Sequence, residues 1–114
     1  VAPDDTTFEW VQGRAAAHAT NVFYKLDQFR WVRGASLVTE FKVPDAQFHT
    51  VAFCSRCGGK VPRPSPQRGV VVVPAGSLDT DPGMRAQAHI FVADKARWFD
   101  ITDPLPRFPA MPPG

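Results

Sequence analysis

Apolar and polar residues alternate along this chain in short bursts, and each burst is closed by a turn signal. The clearest burst is 36–43. Leu37, Thr39 and Phe41 fall on one face and Val38, Glu40 and Lys42 on the other, until Pro44-Asp45 stops the run. Residues 18–24 gather β-formers toward their end, in Val22, Phe23 and Tyr24, and 25–28 reads as a turn. Phe29-Arg30-Trp31-Val32 alternates again before Arg33-Gly34 turns the chain, and 47–53 reads as a further strand. Gly69-Val70-Val71-Val72-Val73 is the most apolar run, which predicts a strand buried on both faces or nearly so, ended by Pro74. Residues 87–92 predict another strand, with His89 and Phe91 on one face and Ile90 and Val92 on the other. Near the start, Phe8 and Trp10 alternate with Glu9 and Val11, which allows a short strand in a stretch that reads as turn or loop, and 95–101 reads as a final turn or short strand. Between these lie an extended loop at 62–66, a turn-rich loop at 76–83 and a Pro-rich tail from 103. Phe41 and Phe53 are the expected core aromatics. Short strands at roughly ten-residue spacing, with no internal repeat, predict a mainly β fold of short antiparallel strands with Pro/Gly-rich loops.

Composition supports that picture. Twelve prolines and eight glycines in 114 residues oppose long helices. The length suits one domain over 1–114, large enough to bury a core. A net charge of +2, spread without a basic block, opposes a nucleic-acid partner. No apolar run approaches the ~20 residues that span a bilayer, and no charged-then-apolar leader precedes the domain. Two cysteines are no secreted disulfide framework. The expected location is therefore cytoplasmic, with no membrane partner.

The chemistry concentrates in Phe53-Cys54-Ser55-Arg56-Cys57-Gly58-Gly59. A C-x-x-C spacing lets two thiolates converge on one tetrahedral zinc ion, and the glycines suit a tight turn beneath it. One such pair is half of a zinc site. Three readings stay open on the residues alone: a zinc knuckle, a redox dithiol, or a disulfide or inert thiols. The redox reading is opposed by Pro62, Pro64 and Pro66, since a thioredoxin-like C-x-x-C opens a helix.

The order of further blocks carries a resemblance. Ala17-His18-Ala19-Thr20-Asn21 is followed by Phe29-Arg30-Trp31-Val32-Arg33-Gly34 and then by the cysteine block. Gly76-Ser77-Leu78-Asp79 with Pro82 comes next. His89-Ile90-Phe91-Val92 and then Lys95-Ala96, Trp98-Phe99, Ile101, Asp103, Leu105-Pro106 and Phe108 close the series. From about Ala17 to the end the chain resembles the glutathione-dependent formaldehyde-activating enzyme (GFA) family, which shares its domain with centromere protein V. The resemblance implies a zinc-binding, mainly β fold of the Mss4-like type. It implies a carbon–sulfur lyase that joins glutathione and formaldehyde as S-hydroxymethylglutathione, or acts on a related thiol adduct. It also implies that Cys54 and Cys57 are half of a four-thiolate structural zinc whose other half is an earlier C-x-C. A separate C-x-C-x-x-C, just before the Ala-His-Ala-Thr-Asn block, supplies the family's second zinc, the one linked to glutathione chemistry.

Neither earlier cysteine stretch is present. Where the second zinc's thiolates would fall by register stand residues such as Thr7 and Trp10, which cannot replace thiolates. Either the chain lacks an N-terminal segment, or it is a diverged member without the catalytic metal. The remaining ligands for Cys54 and Cys57 would come from among His18, His49 and His89, with His49 nearest in sequence, or from a second chain's C-x-x-C across a dimer. Each histidine reads better as a satisfied polar strand residue than as a ligand. Asp79 suits turn hydrogen bonds better than ligand orientation. Arg56 reads as a solvated side chain or as a partner for a glutathione carboxylate. Trp31 and Trp98 read as core or rim aromatics, and Asp100 and Asp103 as surface charges. No Ser/His/Asp arrangement or phosphate-cradling loop is evident, so no residue is assigned a catalytic role. Two function classes follow: a GFA-type lyase, or a zinc-stapled binding or structural domain that has lost the catalytic thiolates.

Overall fold

The computed structural model describes residues 16–42 and 50–111. Its regular elements are β1 (Asn21–Lys25), β2 (Val38–Lys42), β3 (Thr50–Cys54), β4 (Arg63–Ser65) and β5 (Val70–Pro74), with 3-10 turns at Leu26–Gln28 and Ala35–Leu37 between β1 and β2 and at Ala75–Ser77 and Val92–Asp94 after β5. All the strand pairs are antiparallel, in a three-stranded sheet of order β1-β5-β4 and a two-stranded sheet of β2 with β3. The expectation of a mainly β fold holds. The stretch near Phe8 and Trp10, read as turn or loop with a short strand allowed, lies outside the described residues, as does the start of the strand expected from residue 47. The described residues fall into two units, 20–42 with 50–82, and 16–19 with 83–111.

The valine run becomes the centre of the first unit. β5 has β1 on one side, with Asn21 opposite Pro74 and Lys25 opposite Val70, and β4 on the other, with Arg63 opposite Val72. β-branched side chains suit a strand packed from both sides. Val71 is 0% exposed and Val73 6%, while Val70 and Val72 on the opposite face are half-buried. The near-complete burial expected of this run is thus complete on one face only. The extended loop expected at 62–66 is corrected in part, because Arg63, Pro64 and Ser65 pair as β4. Pro64 is tolerated there because β4 is an edge strand, where a missing N–H costs no ladder bond on the open side.

The second sheet corrects the core assignment. Phe41 lies opposite Val51, and Thr39 opposite Phe53, so both phenylalanines share one face. That face is the more open one: Phe41 is 48% exposed and Phe53 only half-buried. Ala52, on the other face, is the buried residue of β3. Residues 29–32 are not a strand, and among the described residues no strand pairs with them. Phe29 N–H instead closes the preceding turn on the Leu26 carbonyl at 3.2 Å, Trp31 sets its ring edge-on to Phe29 at 5.0 Å, and Val32 is exposed. The turn at Gly34 forms as expected, with a left-handed φ of 80° that glycine adopts without steric cost.

In the second unit the strand expected at 87–92 does not form. It is reduced to one parallel bridge between His89 and Arg107. His89 N–H donates to the Pro106 carbonyl and Phe108 N–H to the His89 carbonyl, both at 2.8 Å. The ladder stops because Phe91 turns left-handed, at φ 56°, into a 3-10 turn over Val92–Asp94. The Pro-rich tail thus supplies the partner segment. Ala96 is buried here, and Lys95 Nζ donates to the carbonyls of Ala96 and Phe99 at 3.2 and 2.7 Å. Trp98 is 72% exposed, so of the core and rim readings only the rim remains. Among the described residues no helix is long and apolar enough to cross a membrane.

Candidate metal centre and ligand cavity

β3 runs directly into the cysteine block, as the sequence pattern predicts. Cys54 is its last residue, a turn over 55–57 follows, and the chain then doubles back. Cys54 N–H donates to the Gly59 carbonyl at 2.9 Å, Gly58 N–H to the Cys54 carbonyl at 2.7 Å, and Val61 N–H to the Ala52 carbonyl at 3.1 Å. Phe53 and Lys60 form an antiparallel bridge, so the block is the tip of a tight hairpin. Ser55 N–H also reaches the Leu37 carbonyl at 2.7 Å, which ties the tip to the residue before β2. Gly58 has φ 75°. An L-residue there would carry the left-handed strain that glycine avoids.

The backbone of this tip is aimed at sulfur. Arg56 N–H donates to Cys54 Sγ, and Gly59 N–H to Cys57 Sγ, each at 3.4 Å. A Cβ at Gly59 would meet Cys57 Sγ at 3.4 Å, an ordinary van der Waals contact. The Cys54 thiol is held below its ordinary pKa, first by the backbone N–H of Cys57, then by that of Arg56, with the Cys57 thiol adding to both. Hydrogen bonds to the charged form favour it, and the thiolate is the form that binds metal. Both cysteines are free thiols, Cys54 half-buried and Cys57 exposed. The donor set therefore fits half of a tetrahedral zinc site. Among the described residues no group of three or more His, Cys, Asp or Glu side chains gathers as a metal cluster.

The other predicted candidates are dispersed. His18 is exposed, with its ring 5.3 Å from that of Phe99. His89 Nε2 lies 2.9 Å from both carboxylate oxygens of Asp103. It is a satisfied polar residue, as expected, though outside any strand. Asp103 is correspondingly more than a surface charge. Its carboxyl is held below the usual range, chiefly by the His89 hydrogen bond and then by Leu105 N–H, which donates to Oδ1 at 2.9 Å. Arg107 braces the same turn through the carbonyls of Ile101 and Asp103, each at 3.1 Å. His49, Thr7 and Trp10 lie outside the described residues. Asp79 and Arg56 are exposed. In the loop that holds Asp79, the turn bond is made by Ser77 Oγ to the Pro74 carbonyl at 2.7 Å.

One further feature carries no signal in the sequence. Beside the knuckle, Tyr24, Phe29, Lys60, Val71, Val73 and Ser77 line a cavity of about 410 Å³. Its walls are mainly apolar, with a cation and hydroxyls among the lining groups, which is the make-up of a small-molecule site. Lys60 follows the knuckle by three residues, and its Nζ lies 5.8 Å from the Phe53 ring centroid. These residues come from four separate stretches of chain, so only folding assembles them.

Comparison with known proteins agrees with the motif order. No curated protein matches the chain. The family profile of the glutathione-dependent formaldehyde-activating enzyme matches residues 11–94, which take in the Ala-His-Ala-Thr-Asn block, the knuckle and the Gly-Ser-Leu-Asp turn. The chain belongs to the glutathione-dependent formaldehyde-activating enzyme family.

Proposed function

We propose that this chain handles a glutathione-type thiol, or its formaldehyde adduct, on a β domain stapled by zinc at Cys54 and Cys57. The observation that carries the zinc reading is the pair of backbone N–H groups directed at the two sulfurs. They stabilise thiolates and hold the turn in one conformation, and zinc bound there would cross-link the hairpin tip. The cavity beside the tip supports the thiol reading. Its volume of about 410 Å³ falls in the range of small-ligand pockets, and Lys60 is a cation suited to a carboxylate of a peptide-like thiol. Arg56, exposed between the cysteines, is a second cation for the same purpose.

The reading supported best is binding without turnover. In the family reaction the thiol S–H adds across the aldehyde C=O. A carbon–sulfur bond forms, the proton passes to oxygen, and the reverse step releases thiol and aldehyde. The family's second zinc would need three further thiolates, and both cysteines of these 114 residues are already in the knuckle. The residues present do not fit that second ion. The family match over residues 11–94 favours turnover, as a carbon–sulfur lyase, as the second reading.

One sample tests both. Zinc per chain is measured by elemental mass spectrometry, glutathione binding by chemical-shift perturbation, and turnover by glutathione-dependent loss of formaldehyde. Bound zinc with shifts around Lys60 and Tyr24 and formaldehyde lost no faster than the uncatalysed rate is the expected result. Formaldehyde loss above the uncatalysed rate would establish the lyase reading instead. Shifts absent at millimolar glutathione would overturn the thiol reading.

A further inference from the structure

We propose that the cavity beside the knuckle holds an apolar alkyl or aryl group carried on the sulfur of the bound thiol. The preferred ligand is then an S-substituted thiol whose substituent is larger and more apolar than the hydroxymethyl group that formaldehyde gives. This rests on the reading of the cavity as a thiol site and deepens it by naming the substituent. The division of the lining carries the inference. Val71 and Val73, on the buried face of β5, line the cavity together with the half-buried Tyr24, Phe29 and Leu78. The polar lining side chains Gln28, Lys60 and Ser77 are all exposed. The polar groups therefore stand toward solvent and the apolar walls toward the interior, with the Tyr24 hydroxyl as the exception.

Glutathione alone does not match this inventory. It carries a carboxylate at each end and an ammonium group beside one of them. The lining offers Lys60 for a carboxylate and, among the described residues, no acidic side chain for the ammonium. Two of the remaining polar groups are already engaged: Ser77 Oγ donates to the Pro74 carbonyl at 2.7 Å, and Gln28 Oε1 accepts the Lys25 N–H at 3.0 Å. A peptide group drawn against the apolar walls would lose its hydration without finding partners. An apolar substituent has no such loss, and each CH₂ taken out of water raises affinity roughly fourfold. A hydroxymethyl group sets a hydroxyl against the same walls and lacks that gain. The substituent therefore fills the interior, and the peptide part stays at the exposed side, where Lys60 meets one carboxylate and water completes the other hydrogen bonds.

The test titrates the 114-residue chain with glutathione and its S-methyl, S-butyl and S-benzyl conjugates by isothermal calorimetry, with methyl NMR on the same complexes. From S-methyl to S-butyl, three added methylenes in partial burial should tighten binding at least about tenfold. Methyl shifts at Val71 and Val73 should accompany that rise. Leu78→Gln, at a half-buried wall position, should flatten the series. Lys60→Met, at an exposed position, should weaken every member alike and keep the rise. Equal affinity along the series overturns the apolar substituent and leaves the thiol reading standing. No binding by any member overturns both. A rise that survives Leu78→Gln, or that leaves the Val71 and Val73 methyls unmoved, overturns the placement in this cavity. Pentanoate binding as tightly as S-butylglutathione overturns the thiol as the carrier of the group.

Discussion

Val71→Ala removes two methyl groups from a fully buried side chain on the central strand. At about 0.8 kcal/mol per buried CH₂ the lost transfer energy is about 1.6 kcal/mol. Alanine is also a poorer strand former, on a scale that spans about 1 kcal/mol. Val71 already borders the 410 Å³ cavity, so the new space adds to an existing opening. The separate void penalty that makes some core truncations cost about 5 kcal/mol is therefore small here. The expected loss is about 2–3 kcal/mol, a large share of the stability of a small domain. Urea unfolding followed by far-ultraviolet circular dichroism reads it as a lower midpoint with an unchanged slope. Val32→Ala is the control: it truncates the same side chain where it is 84% exposed, and should shift stability by less than about 0.5 kcal/mol. Equal effects of the two substitutions would refute the argument that β5 organises the core of its unit.

Gly58→Ala meets no atom within 4 Å, so its cost is backbone strain alone. About 1–2 kcal/mol is expected from the left-handed φ, measured by the same urea titration. Chelation of the purified protein should lower its melting temperature if zinc staples the hairpin tip, and the Cys54→Ser variant should lose that sensitivity in differential scanning fluorimetry. The Asp103 carboxyl is held low in the folded state, chiefly by His89. Its contribution is present above the ordinary carboxylate range and lost as pH falls through the depressed folded value. His89→Ala should therefore raise the Asp103 pKa seen by carbon-detected NMR and flatten the acid limb of stability against pH. An unmoved Asp103 titration would show that the hydrogen bond does not set it.

Legibility followed the range of each interaction. The Gly34 turn, the strand entering Cys54 and the valine strand were readable because their causes are local: a glycine conformation, an alternation and an unbroken apolar run. Residues 29–32 and 87–92 alternate as well as true strands do, yet alternation says nothing about whether a partner strand is available. The first finds none among the described residues, and the second makes one β-bridge to the tail before Phe91 turns left-handed, after which its bonds to the tail no longer keep strand register. Pro64 failed in the opposite sense. A proline marks a break in a lone segment but is acceptable on a sheet edge, and only topology makes β4 an edge.

The sequence by itself determined the chemical inventory: two cysteines three apart, the glycines beneath them, the succession of family blocks and a β-forming pattern. Those are covalent facts and near-neighbour preferences, which need no knowledge of distant contacts. Tertiary structure alone decided which face of each strand is covered. It turned Phe41 and Phe53 to the more open side of their sheet and left Ala52 buried. It alone brought Asp103 to His89 across fourteen residues, and Lys60, Tyr24 and Ser77 to the rim of one cavity. Burial and pairing are sums over residues far apart in the chain, and no local pattern contains them.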